Sequence, residues 1–174
     1  MSRGLGDVYK RQTCNRAISW LYFSGIIGFC AKISEMDILE FKPASRCYFM
    51  DLGVANYYLK LTGTDSRVLM GTLNENCVYI NLKKRQDFPP EIAFETPAFA
   101  TYKGGEIDFV VQCLKNDLRY LVEVKAGKGT AVTATKALQS GKANKLLYLK
   151  GDTKGGIDKN IETVPIYMLE SYEF

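Results

Sequence analysis

Two neighbouring stretches alternate apolar and charged residues: Glu106-Ile107-Asp108-Phe109 and Val122-Glu123-Val124-Lys125. Each reads as a short strand bounded by turn residues. Gly104-Gly105 precedes the first, and Lys115-Asn116-Asp117 separates the two. Strands send successive side chains to opposite faces. Glu106 and Asp108 are therefore expected on one face, with Ile107 and Phe109 on the other. Glu123 and Lys125 likewise share a face opposite Val122 and Val124. Paired as an antiparallel hairpin, the strands bring Asp108 and Glu123 together at one sheet edge, with Lys125 beside them.

The earlier pattern predicts further elements. Residues 13–24 have a helical period, with Thr13 as cap, a stripe of Ala17, Ile18, Leu21 and Tyr22, and Gly25 at the stop. A strand over 26–33, a polar stretch with Pro43, and a second strand from Arg46 to Met50 follow. A helix and then a two-stranded ribbon is the tail of a winged helix-turn-helix. Its acidic tip, Glu35-Met36-Asp37, would repel phosphate, which favours a packing adaptor over a DNA-contacting wing. Asp51 can cap a helix to about Leu61, with Val54, Tyr57, Tyr58 and Leu61 on its apolar stripe. The polar break at 62–66 marks a domain boundary, and a long helix spans 67–85. Within it Glu75 shares a stripe with Val78, Tyr79 and Leu82, while Leu73, Cys77 and Ile80 form a competing one.

Pro89-Pro90 ends that segment, and one or two strands occupy 92–102. After the central pair come a helix over 130–140, a strand over 145–150, a loop over 151–160 and a last strand over 164–169. Lys136 and Gln139 on that helix face either the site or solvent. Residues 1–12 carry no such period and look like translated sequencing-adaptor read-through. They are expected to lie outside the fold, in a chain whose true form extends upstream. The expected organisation is a non-native tail at 1–12, a partial winged helix with a linking helix at 13–62, and a second domain at 63–174.

Composition narrows the chemistry. With 174 residues, 47% of them hydrophobic, the chain can bury a core. The net charge of +4 is compatible with nucleic acid but far below that of a chain built mainly to bind it. There is no histidine, so imidazole bases and imidazole metal ligands are excluded. The five cysteines are scattered and odd in number, as expected of core residues in a reducing cytoplasm. No apolar run reaches the length of a membrane span, and there is no phosphate-binding GxxxxGK[ST] loop. Asp108, Glu123 and Lys125 together suit a hard, oxygen-liganded cation, Mg²⁺ or Mn²⁺. The plainer reading is a solvated strand face.

The order of a helix with Glu75, a strand with Asp108, a strand with Glu123-Val124-Lys125, then helix and strand resembles the PD-(D/E)XK nuclease core. More narrowly, the chain resembles a C-terminal domain of unknown function in bacterial and archaeal AAA-type ATPases. The phrases that carry this are Arg46-Cys47-Tyr48-Phe49-Met50-Asp51-Leu52-Gly53-Val54-Ala55-Asn56, Gly71-Thr72-Leu73-Asn74-Glu75-Asn76, Glu106-Ile107-Asp108-Phe109 and Glu123-Val124-Lys125-Ala126-Gly127. Ile107 stands where the superfamily name has proline. The resemblance implies an α/β fold: a partial winged helix, then a restriction-endonuclease-like mixed sheet flanked by helices. It implies a metal held by Asp108, Glu123 and the Val124 carbonyl, water positioned by Lys125, and support from Glu75. It further implies DNA as substrate and an ATPase module upstream. The alternative is a non-catalytic module that binds DNA or protein and regulates the ATPase.

Overall fold

The computed structural model describes residues 5–40, 46–87, 89–94, 96–125 and 129–174. Helix α1 (Leu5–Phe23) leads into strand β1 (Ile27–Ser34), and β2 (Ile38–Glu40) and β3 (Arg46–Phe49) follow. Helices α2 (Leu52–Leu61) and α3 (Ser66–Lys84) come next. Then come β4 (Ala98–Tyr102), β5 (Gly105–Gln112), β6 (Arg119–Lys125), α4 (Val132–Gln139), β7 (Lys145–Lys150), β8 (Gly156–Asp158) and β9 (Ile161–Pro165). A 3-10 helix, Ile166–Ser171, closes the series.

All these strands join one mixed sheet in the order β2-β1-β4-β5-β6-β7-β9-β8, with β3 paired to β1. The strand run is antiparallel where turns are short, as between β4 and β5, and parallel where a helix intervenes, as between β6 and β7. Lys103 and Gly104, both at positive φ, make the two-residue turn from β4 to β5. The sheet buries both faces, which is why its central strands are almost continuously apolar. One face packs Val78, Tyr79 and Leu82 of α3 against Phe109, Val111, Tyr120, Val122 and Val124. The other packs Ala134 and Ala137 of α4 against Ile107, Val110, Leu121 and Leu146. The architecture is therefore α/β, with helices on both sides of a large mixed sheet.

Several local expectations hold for the reasons that motivated them. The Asp51 carboxylate accepts from Val54 N–H at 2.8 Å and starts α2. Gly25, at φ 72, ends α1 where left-handed backbone is needed. On α3 it is the stripe beginning at Glu75 that turns inward, with Val78, Tyr79 and Leu82 buried and Cys77 and Ile80 only half-buried.

Others are corrected. Helix α1 does not start at Thr13. It runs from Leu5, so the described part of 1–12 is helical, because no strong breaker separates it from the periodic segment. The expected stripe on α1 is not core: Leu21 and Tyr22 are exposed, and Tyr22 instead stacks on Phe29 at 4.7 Å. On α2, Tyr57, Tyr58 and Leu61 are exposed and Ala55 is the buried residue. The 151–160 loop contains β8, and the strand expected over 164–169 is the end of β9 followed by the 3-10 helix. Pro43 lies outside the described residues.

Strand β1 runs parallel to β4 through Ala31↔Ala98, so the stretch before α2 shares backbone hydrogen bonding with the rest of the sheet. The acidic turn at its end is docked. Met36 is 1% exposed, Glu35 accepts from Lys103 N–H at 3.0 Å, and Asp37 pairs with Lys142 at 2.8 Å.

Candidate functional site

Strands β5 and β6 pair antiparallel with Phe109 opposite Val122. Asp108 and Glu123 lie one residue beyond this pair on the two strands. Strand β5 is irregular at this point. Between Ala98↔Val110 and Ala100↔Ile107 the register advances two residues on β4 and three on β5. The extra residue is a bulge, a device that re-aims side chains. It also corrects the face assignment: Ile107 joins Val110 on the α4 side, while Phe109 joins Val111 on the α3 side. Simple alternation puts Ile107 and Phe109 together.

The bulge leaves Asp108 beside the end of β6. Its Oδ2 accepts from Val124 N–H at 2.9 Å and lies 3.8 Å from Lys125 Nζ. Lys125 Nζ contacts Glu123 Oε2 at 2.7 Å. Glu123 is only 2% exposed, whereas the Lys125 side chain retains a quarter of its exposure. Burial, and after it repulsion from Asp108, push the Glu123 carboxyl up to about 7, against the pull of Lys125. For Lys125, burial acts to lower the pKa, but the contact with Glu123 and the charge of Asp108 outweigh it, and the net shift is upward. The ammonium therefore stays protonated near neutral pH.

Glu75 approaches from α3. Burial and repulsion from Asp108 raise its pKa, while Arg46, Lys125 and a hydrogen bond from Tyr48 oppose the rise. Asp108, Glu123 and Lys125 thus come together, with Glu75 within electrostatic reach. They meet in the middle of the sheet, not at a sheet edge, because β4 and β7 flank the two strands. Lys136 and Gln139 are exposed on α4, as a solvated face requires. The Ala126 and Gly127 that follow Lys125 lie outside the described residues. A cavity of about 880 Å³ lies elsewhere, between the end of α3, Pro89-Pro90 and Phe174.

The sequence reading assigned no role to Arg46, Tyr48 or Asn76, although all three stand in the phrases quoted above. Arg46 reaches Glu106 at 2.6 Å and lies over the Phe99 ring at 4.5 Å. Tyr48 stacks on Tyr79 at 4.6 Å and packs against Phe109 at 5.7 Å. Asn76, next to Glu75, is buried on the backbone of Phe49. The signal that could have found Asn76 is a polar residue on an inward helix stripe, since such a group needs a partner.

Comparison with protein families matches residues 70–169 to the domain of unknown function DUF4143. The chain belongs to that family. The match takes in Glu75, Asp108, Glu123 and Lys125, and it leaves β1, β2, β3 and α2 outside. Neither the curated proteins nor the solved structures contain a match to the chain. Within this DUF4143 domain, the pair that could hold a cation is Asp108 and Glu123. No group of three or more His, Cys, Asp or Glu side chains among the described residues is placed to hold a metal. Two carboxylates with the remaining positions open to water or substrate oxygens fit the way Mg²⁺ is held. No helix among the described residues is long and apolar enough to cross a membrane.

Proposed function

We propose that this DUF4143 domain is a divalent-metal-dependent nuclease-like domain that hydrolyses DNA phosphodiester bonds. The observation that carries the reading is the pairing of Asp108 with Glu123 under one lysine, whose Nζ lies 3.8 Å from the first and 2.7 Å from the second. The carboxylate bulge strand, the Glu-x-Lys strand beside it and the acid on the preceding helix resemble the PD-(D/E)XK arrangement. On this reading the sheet is restriction-endonuclease-like, and α1 with the β1–β3 ribbon is a partial winged helix whose tip serves as a packing adaptor. The chain would be the C-terminal domain of an AAA-type ATPase.

The residues divide the work as follows. Asp108 and Glu123, with the Val124 carbonyl, would hold Mg²⁺ or Mn²⁺. Such an ion, when bound, supplies charge neutralisation for the phosphate and a more acidic water. Lys125 remains protonated and is positioned to orient water and offset charge, which suits it to a hydrogen-bonding role more than to that of a base. Val124 N–H fixes the Asp108 carboxylate through its Oδ2. Glu75 comes in from the α3 side, close enough for its carboxyl to feel the charge of Asp108.

A second reading is a non-catalytic module that binds DNA or protein. It is favoured by the tight Lys125–Glu123 ion pair, which already satisfies one carboxylate internally. Cleavage of plasmid and single-stranded DNA in Mg²⁺, Mn²⁺ and EDTA separates the two. Metal-dependent nicking that Asp108→Asn abolishes supports the nuclease. Metal-independent DNA retention without cleavage, unchanged in Asp108→Asn, supports the binding module.

A further inference from the structure

Strands β6 and β7 run parallel, and their register pairs Glu123 with Tyr148 and Lys125 with Lys150. Paired residues on neighbouring strands share a face, so Lys150 stands beside Lys125 on the face that carries Glu123. The two side chains lie alike, each folded back along its strand. Lys125 Nζ is 2.7 Å from Glu123 Oε2, and Lys150 Nζ is 5.4 Å from the centre of the Tyr148 ring. Tyr148 is fixed there, because its hydroxyl accepts from Ala131 N–H at 3.2 Å. The two charges are answered differently. Lys125 Nζ has Glu123 at 2.7 Å and Asp108 at 3.8 Å. Among the described residues Lys150 has no carboxylate in ion-pair range, and its partner on β9 is the uncharged Pro165. Like charges side by side on a sheet repel each other, so this ammonium calls for an anion. A divalent cation held by Asp108 and Glu123 would shift the group further toward positive charge.

We propose that Lys150 is a DNA-binding residue of this site, taking a backbone phosphate next to the one that lies at Asp108, Glu123 and Lys125. The inference rests on the nuclease-like reading above, which supplies the phosphate at the carboxylates. Neighbouring strands are about 4.8 Å apart, so a lysine one strand over meets the adjacent phosphate and not the scissile one. An ammonium is a compact point charge with freely turning donors, suited to a phosphate oxygen. Contacts of this kind fix the position and register of a nucleic acid without reading its sequence. Lys145 provides a matched comparison at the other end of β7. Its Nζ lies 5.4 Å from the centre of the Tyr120 ring, but alternation places it on the opposite face of the strand.

The test is fluorescence anisotropy of labelled single-stranded and duplex oligonucleotides, in Ca²⁺ and in EDTA, over a range of salt concentrations. The full chain is compared as wild type, Lys150→Ala, Lys150→Arg and Lys145→Ala. Lys150→Ala is expected to weaken binding severalfold and to lower the slope of log affinity against log salt by about one, the loss of a single phosphate contact. Lys150→Arg should bind like wild type. Lys145→Ala, which removes the same charge, should keep the wild-type slope. A wild-type slope in Lys150→Ala, or an equal change in Lys145→Ala, overturns the inference, as does a wild type that retains neither oligonucleotide. Plasmid nicking in Mg²⁺ and Mn²⁺ is scored separately. If wild type nicks with metal while Lys150→Ala keeps the wild-type slope, the nuclease reading stands and this inference falls. If Lys150→Ala alone changes the slope but neither metal supports nicking, the nuclease reading falls and the phosphate contact stands.

Discussion

The side-chain amide of Asn76 grips the backbone of Phe49 at two points: Phe49 N–H donates to Oδ1 at 2.8 Å, and Nδ2 donates to the Phe49 carbonyl at 2.6 Å. The clamp ties α3 to β3 across 27 residues of chain and sits beside Glu75. Asn76 is only 2% exposed. Asn76→Ala leaves both Phe49 groups unpaired and should cost about 2–4 kcal/mol in a urea melt. A loss below about 0.5 kcal/mol, the range of an ordinary surface change, would show that the clamp is dispensable.

Asp108 and Lys125 should respond in opposite ways. Asp108→Asn keeps an amide oxygen for Val124 N–H and removes repulsion against Glu123, so the metal-free protein should be at least as stable as wild type while losing its stabilisation by Mn²⁺. Lys125→Ala removes the counter-charge of a nearly buried carboxylate and should cost about 1–3 kcal/mol. Thermal melts in EDTA and in millimolar Mn²⁺ check both. If each variant stays within about 0.5 kcal/mol of wild type and none responds to Mn²⁺, these are ordinary surface charges.

Glu123 sets a pH dependence with a definite sign. Its pKa is raised on folding, to about 7, so between the unfolded value and 7 the folded state holds more protons than the unfolded one. The stability it contributes is fully present below the unfolded pKa and declines as pH rises through 7. In metal-free wild type, stability should therefore fall by up to a few kcal/mol from Glu123 between about pH 4.5 and 8. Glu123→Gln should flatten that slope in urea melts. An unchanged slope in the variant would mean that other groups set the dependence.

Met36 tests whether the β1–β2 turn is an exposed tip or a docked one. It is fully buried among Ala31, Ala100 and Tyr102 on the α4 side, at φ 63. Met36→Ala should cost about 2–4 kcal/mol, the usual loss for a buried methionine. A neutral result would return the turn to solvent and reopen it as a surface for DNA.

The elements themselves were legible because their causes are local. A cap three residues before an amide, as at Asp51 and Val54, is a property of a few neighbouring residues. So is the alternation that sends Glu123 and Lys125 one way and Val122 and Val124 the other. The antiparallel hairpin joining β5 to β6 needs only a short turn, so Asp108 could be brought close to Glu123 without knowing the rest of the fold.

What the sequence could not decide depends on partners distant in the chain. The bulge in β5 is a mismatch of register with β4, invisible in either strand alone, and it splits Ile107 from Phe109. Tyr57, Tyr58 and Leu61 have a faultless helical period, yet they stay exposed, and the buried residue of α2 is Ala55. Arg46 reaches Glu106 and Phe99, and Tyr48 reaches Tyr79 and Phe109, only because β3 pairs with β1 and Asn76 clamps it to α3. By itself the sequence determined the α/β character and the Asp108–Glu123–Lys125 grouping, both consequences of spacing within a strand or a hairpin. Tertiary structure alone decided which apolar stripes are buried, where the strand bends and what β3 packs against, because each of those depends on surfaces meeting across tens of residues.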